Sequence, residues 1–130
     1  FNQIPAAIGM NNHQGSKGSA SEYIMENIGT VIKEKSLFFV DSRTTANTIA
    51  ESTMEKMGVP TARRNIFLDN ESDVSKITAQ MILLSQVAEK NGFAIGIGHV
   101  KPITLEVLQK QIPILEEQGF KFDFVSNLLH

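Results

Sequence analysis

Two of the three histidines in this chain, His13 and His99, each follow an apolar, strand-like run. His13 lies in NNHQGS directly after IPAAIGM, and His99 closes FAIGIGH. Two further apolar runs end in Asp41-Ser42-Arg43 and Asp69-Asn70-Glu71. Imidazoles and carboxylates can hold a hard or borderline divalent ion and leave positions open for water. Such an ion lowers the pKa of its water and polarises a carbonyl oxygen. A second histidine can protonate a leaving group, because imidazole ordinarily titrates near neutral pH. An arginine can orient a carboxylate that acts as base. There is no cysteine to serve as nucleophile, no G-x-S-x-G elbow, and no G-x-G-x-x-G or Walker loop. The inventory favours metal-assisted hydrolysis.

Each of these residues also has a plain structural reading. Asp41 and Asp69 suit helix N-caps or Asx-turns, and Arg43 could pair with either of them. A lone loop histidine is more often a hydrogen-bonder than a ligand. His130, the third histidine, receives no role. What favours a site is the joint placement. In α/β folds functional groups collect beyond the carboxyl ends of strands, and every expected strand that a helix follows ends in such a group.

The elements that must position these groups alternate. β-rich runs are expected at Ile4–Met10, Leu37–Val40, Asn65–Leu68, Phe93–Ile97 and Phe120–Val125. Helical spacing separates them. Tyr23, Ile24, Ile28, Val31 and Ile32 form one apolar stripe, and Ile49, Ala50, Thr53, Met54 and Met57 form a second within Thr45–Met57. A third helix is expected over Val74–Asn91, capped by Ser72 or Asp73 and ended by Gly92. A fourth covers Thr104–Gln118, with a kink or break expected at Pro113. Repeated strand–helix units mean a mostly parallel sheet covered by helices. The glycines of FAIGIG let another group approach the backbone closely.

At 130 residues the chain suits a single domain with a real core. A net charge of −2 with interspersed signs gives no electrostatic footprint for nucleic acid. No apolar run approaches the roughly 20 residues of a membrane span. No signal peptide is visible. The chain opens on Phe1, and a strand-like run follows almost at once. Five strands are too few for a closed eight-stranded barrel, so a missing N-terminal portion is expected.

NNHQGS, LFFVDSRT, RNIFLDNE and AIGIGHVKPITLEVL, in that order and spacing, resemble the divergent polysaccharide deacetylases, bacterial relatives of the metal-dependent carbohydrate esterases. The resemblance runs down to FVSNLL and implies a deformed (β/α) barrel, with residues 1–130 its C-terminal portion. It implies removal of acetyl groups from N-acetylated sugars or polysaccharide in the cell envelope or outside the cell, with a divalent metal, zinc foremost. His13 and Asp41 become metal ligands and His99 the general acid. Asp69 with Arg43 tunes a base supplied from elsewhere, and Asn12, Ser42 and Asn70 contact the sugar.

Two departures from that pattern matter. The second histidine of the loop, expected four positions after His13, is Lys17, and the paired aspartates of an N-terminal strand are absent from this stretch. A catalytically silent carbohydrate-binding or envelope-assembly protein on the same fold is the competing expectation. A metal hydrolase acting on another ester or on phosphate is a third.

Overall fold

Val40 and Asp41, the last residues of a short buried strand, pair with Asn11 and Arg63 of the strands on its two sides, and that parallel register fixes where the rim residues emerge. The computed structural model describes residues 1–13 and 16–130, so Gln14 and Gly15 of NNHQGS lie outside the described residues. The chain divides into two compact units, Phe1–Arg63 with Leu128–His130, and Arg64–Asn127.

The first unit has a three-stranded parallel sheet, ordered β1 (Gly9–Asn11), β2 (Phe38–Asp41), β3 (Thr61–Arg63). Its helices are α1 (Ser16–Ser19), α2 (Glu22–Glu34) and α3 (Ala50–Lys56). Ser21 caps α2 by accepting from the Ile24 N–H. Met25, Ile32, Phe39, Ala50, Met54 and Val59 form the core. Its face of α2 differs from the expected stripe: Met25, Gly29 and Ile32 are buried, whereas Tyr23 is 77% exposed. Gly29 faces this core, and a Cβ there would lie 2.5 Å from the Met57 sulfur, so a larger residue would require the Met57 side chain to move. Residues 128–130 belong to this unit because Thr61 and His130 exchange backbone hydrogen bonds of 3.0 and 2.9 Å.

The second unit pairs β4 (Ile66–Phe67) in parallel with β5 (Gly96–Ile97), and packs α4 (Val74–Asn91) and α5 (Pro102–Glu117) around Leu68, Ile77, Met81, Val107 and Leu115. Helix α4 has the expected bounds. Asp73 accepts from the Lys76 N–H at its start, and Gly92 ends it at φ 88°, in the left-handed region that suits glycine. Helix α5 runs through Pro113, which is exposed, so water can satisfy the carbonyl that loses its partner.

This is a mixed α/β fold with five α-helices and parallel strands among the described residues. They do not form a complete barrel. Two strand expectations change, and one observed strand was not expected. Ile4 and Ile8 are exposed and the first strand starts only at Gly9, because residues 1–7 close local turns through Ile4 N–H to Phe1 O and Ala7 N–H to Ile4 O. Phe120–Val125 forms no strand. Asp123 instead accepts from the Phe124 N–H and the Asn127 amide, both at 2.8 Å, and a short 3-10 helix follows at Val125–Leu128. Strand β3, only three residues long, carries too little pattern to be read from sequence.

The burial pattern sets relative stabilities. Ile77→Ala, at a fully buried site, is expected to cost about 2–5 kcal/mol. Tyr23→Ser should stay within about 0.5 kcal/mol. Urea unfolding of the two variants checks this, and equal losses would contradict the assignment of the α2 face.

Candidate functional site

Each unit places a buried aspartate at the carboxyl side of a strand, and each aspartate gathers donors from the loops around it. In the first unit it is Asp41, the last residue of β2, 1% exposed. Its Oδ1 accepts from the Arg43 N–H at 2.8 Å, an Asx-turn, and from the Asn12 amide at 3.2 Å. Its Oδ2 accepts from the Thr48 hydroxyl at 3.0 Å. Asn12 is a second organiser. Its amide also donates to Ser19 Oγ at 2.6 Å, and its Oδ1 accepts from the Ser42 N–H at 2.6 Å. Asn11 donates to Ser42 Oγ at 3.0 Å. Arg43 sits at φ 52°, in the left-handed region that non-glycine residues rarely occupy. His13 is exposed, one residue beyond Asn12.

In the second unit the aspartate is Asp69, 2% exposed, two residues beyond β4. Its Oδ1 lies 2.9 Å from His99 Nδ1, and its Oδ2 accepts from the His99 N–H and the Thr104 hydroxyl, both at 2.7 Å. Burial works to raise the Asp69 carboxyl. The hydrogen bonds from Thr104 and from His99, side chain and backbone, with the charge of a protonated His99, outweigh it and hold the group below its usual 3.8. Gly98 makes this approach feasible, since a Cβ there would stand 3.3 Å from the Thr104 methyl. The His99 side chain is 41% exposed, and its ring centroid lies 5.6 Å from that of Phe67. The Arg64 guanidinium lies over the Phe67 ring, 5.3 Å from its centroid.

A carboxylate accepting from Nδ1–H leaves the imidazole lone pair on Nε2, which fixes the tautomer and ring orientation. That is the arrangement of a positioned proton-transfer histidine. Among the sequence-expected residues the structure thus joins Asp69 to His99, and Asn12 to Asp41, Ser42 and the Arg43 backbone. Asn70 is exposed. Both oxygens of Asp69, to which the resemblance gave an arginine to orient, accept from His99 and Thr104. Thr104 was not singled out by sequence reasoning. Its signal was present, as the hydroxyl five residues after His99 in the first turn of α5.

A family model described as divergent polysaccharide deacetylase matches residues 1–129. The chain belongs to that family. It is similar to an uncharacterized protein of Haemophilus influenzae, 40% identical over 116 residues that make up 89% of this chain and 41% of the relative. It is also similar to the uncharacterized protein YibQ of Escherichia coli, 35% identical over 85% of this chain and 35% of YibQ. The chain therefore spans less than half the length of the curated relatives it matches. A crystal structure of uncharacterized protein ATU2773 from Agrobacterium tumefaciens C58 shares the fold, with a TM-score of 0.90 at 22% identity, over 93% of this chain and 49% of that one. No described helix is long and apolar enough to cross a membrane.

Relation to metal-dependent deacetylases raises the question whether the rim of this family member could hold an ion. A catalytic zinc takes about three protein ligands. The first rim offers the His13 imidazole and the Asp41 carboxylate, and both Asp41 oxygens already accept hydrogen bonds within the loops. By themselves these two residues do not fit a catalytic divalent ion.

The Asp69 network makes an acid-stability prediction. Its folded pKa is lowered, so its contribution is fully present above the usual 3.8 and is lost as pH falls through the lower folded value. Thr104→Val removes a donor to Oδ2. It should cost about 1–3 kcal/mol near neutral pH and move the onset of acid unfolding upward. Urea midpoints between pH 3 and 7 would check this, and an unchanged profile would contradict the assignment.

Proposed function

We propose that the protein is a hydrolase that removes acetyl groups from N-acetylated sugars or polysaccharide of the cell envelope, with His99 as general acid. The observation that carries this reading is the pair of Asp69 and His99. A buried carboxylate holds Nδ1 at 2.9 Å while the imidazole remains partly open to solvent. Protonation of the departing sugar amine is the step such a group performs, with Asp69 stabilising the imidazolium and holding its orientation. Phe67 beside the imidazole offers an apolar face, and Asn12, Ser42 and Asn70 are the polar groups assigned to sugar contact.

Family membership supports a divalent metal, zinc first, whose chemistry when bound is to polarise the acetyl carbonyl and activate water. In this reading His13 supplies one ligand, and the remaining ligands come from parts of the protein beyond these 130 residues. Asp41 serves chiefly as the loop's hydrogen-bond centre.

A second reading has its own support. The Asp41 oxygens are engaged within the loops, and Lys17 stands where the second loop histidine is expected. Both suit a protein that has kept the fold and a polar sugar groove without catalysis.

Acetate release from N-acetylglucosamine oligomers by the full-length protein, with and without added zinc, separates the two. His99→Ala should lower the rate by roughly 10²–10⁴-fold while sugar binding persists. Asp69→Asn should lower it while changing its pH profile, because the imidazolium loses its counter-charge. Sugar binding with no acetate released by the parent protein under any metal condition would sink the hydrolase reading and favour the silent one.

A further inference from the structure

A second group of potential ligands lies in the first unit and uses none of the residues at either strand rim. Glu51 and Glu55 stand one turn apart on α3, so their carboxylates project from the same side of the helix. His130 is brought to them by the backbone exchange with Thr61. One donor atom from each of the three lies within 4.8 Å of the others. His130 Nε2 is 2.7 Å from Glu55 Oε1 and 3.5 Å from Glu51 Oε2.

Glu51 Oε2 is buried and makes no hydrogen bond, its ion-pair neighbour being His130 Nε2 at 3.5 Å. Its sister oxygen faces the Arg63 guanidinium at 3.8 Å. A buried carboxylate oxygen held only by a long ion pair is incompletely satisfied, and a bound cation would complete it. Nor is the space closed. An open cavity of about 470 Å³, lined by Glu55, Gly58, Val59, Pro60, Leu129 and His130, adjoins the cluster and has room for water to complete a coordination shell.

We infer that Glu51, Glu55 and His130 form a binding site for a borderline divalent cation, zinc foremost, with water on the cavity side. Ligands at zinc distances of about 2.0–2.2 Å stand roughly 3–3.5 Å from one another in a tetrahedral shell. The 2.7 and 3.5 Å separations bracket that range, and Glu55, which is exposed, can rotate to open the shorter one. One imidazole with two carboxylates suits zinc better than calcium or magnesium, which prefer oxygen ligands throughout. The inference goes beyond the deacetylase reading and does not depend on it.

The test is calorimetric titration of Zn²⁺ into His13→Ala protein, a background that removes the rim ligand assigned under the proposed function. One equivalent should bind. His130→Ala, and separately Glu51→Gln/Glu55→Gln, should each weaken that binding by more than the roughly 10–100-fold that loss of an outer-shell partner costs. Circular dichroism confirms that each variant is folded, and the paired glutamine variant retains the shape of the cluster should His130→Ala not fold. No zinc bound in the His13→Ala background, or zinc held equally well after the changes, overturns the site. No acetate release by the parent protein, with zinc still bound at this cluster, would fault the function reading alone.

Discussion

A carboxylate buried at the carboxyl side of a β-strand must be answered by donors, and in both units the loops are arranged around that demand. An uncompensated buried charge costs several kcal/mol, more than a loop's own backbone preferences can supply. Asp41 is met by Asn12, the Arg43 N–H and Thr48, and Asp69 by His99, main chain and ring, and Thr104. Each set draws on more than one segment of chain. The aspartate therefore ties together pieces that the sheet alone would leave loose.

The two aspartates have different consequences. The recorded donors to Asp41 are an amide, a backbone N–H and a hydroxyl, so its charge is spent within the fold and stiffens it. Asp69 shares its charge with an imidazole that reaches solvent. A hydrogen bond between charged groups is worth about 1.5–3 kcal/mol, against about 1 kcal/mol for a neutral one. Orientation of His99 is thus set more firmly than an ordinary loop histidine would be. The same physical device produces a scaffold in one unit and an oriented, solvent-reaching imidazole in the other.

How much of this could be read in the sequence depended on length and on locality. Helix α4 was legible to the residue because its periodicity is long and both caps are local in sequence, Asp73 at one end and Gly92 at the other. The α2 face was not, because Met25 and Ile32 are buried by packing with Phe39, Ala50, Met54 and Val59 further along the chain. FKFDFV alternates like a strand, yet Asp123 closes a local turn that alternation cannot reveal. At the candidate site the residue types and their strand-end positions were legible. The partners were not: Asp69 meets His99 and Thr104, 30 and 35 residues on, and only the β4–β5 pairing decides that.

Arg43 shows how firmly the first loop is held. Its φ of 52° costs about 1–2 kcal/mol relative to ordinary backbone. Only the short turn from Asp41 lets its N–H reach Oδ1 at 2.8 Å. A charge-assisted bond of that kind returns about as much as the strain consumes, and the Asn12 and Thr48 bonds add to it. Asn12 and Ser42 are consequently fixed before any ligand arrives, since Asn12 Oδ1 is committed to the Ser42 N–H. Such preorganisation holds polar groups in place at low entropic cost. The first loop is thus a fixed polar scaffold, whereas Asp69 orders an imidazole that still reaches solvent.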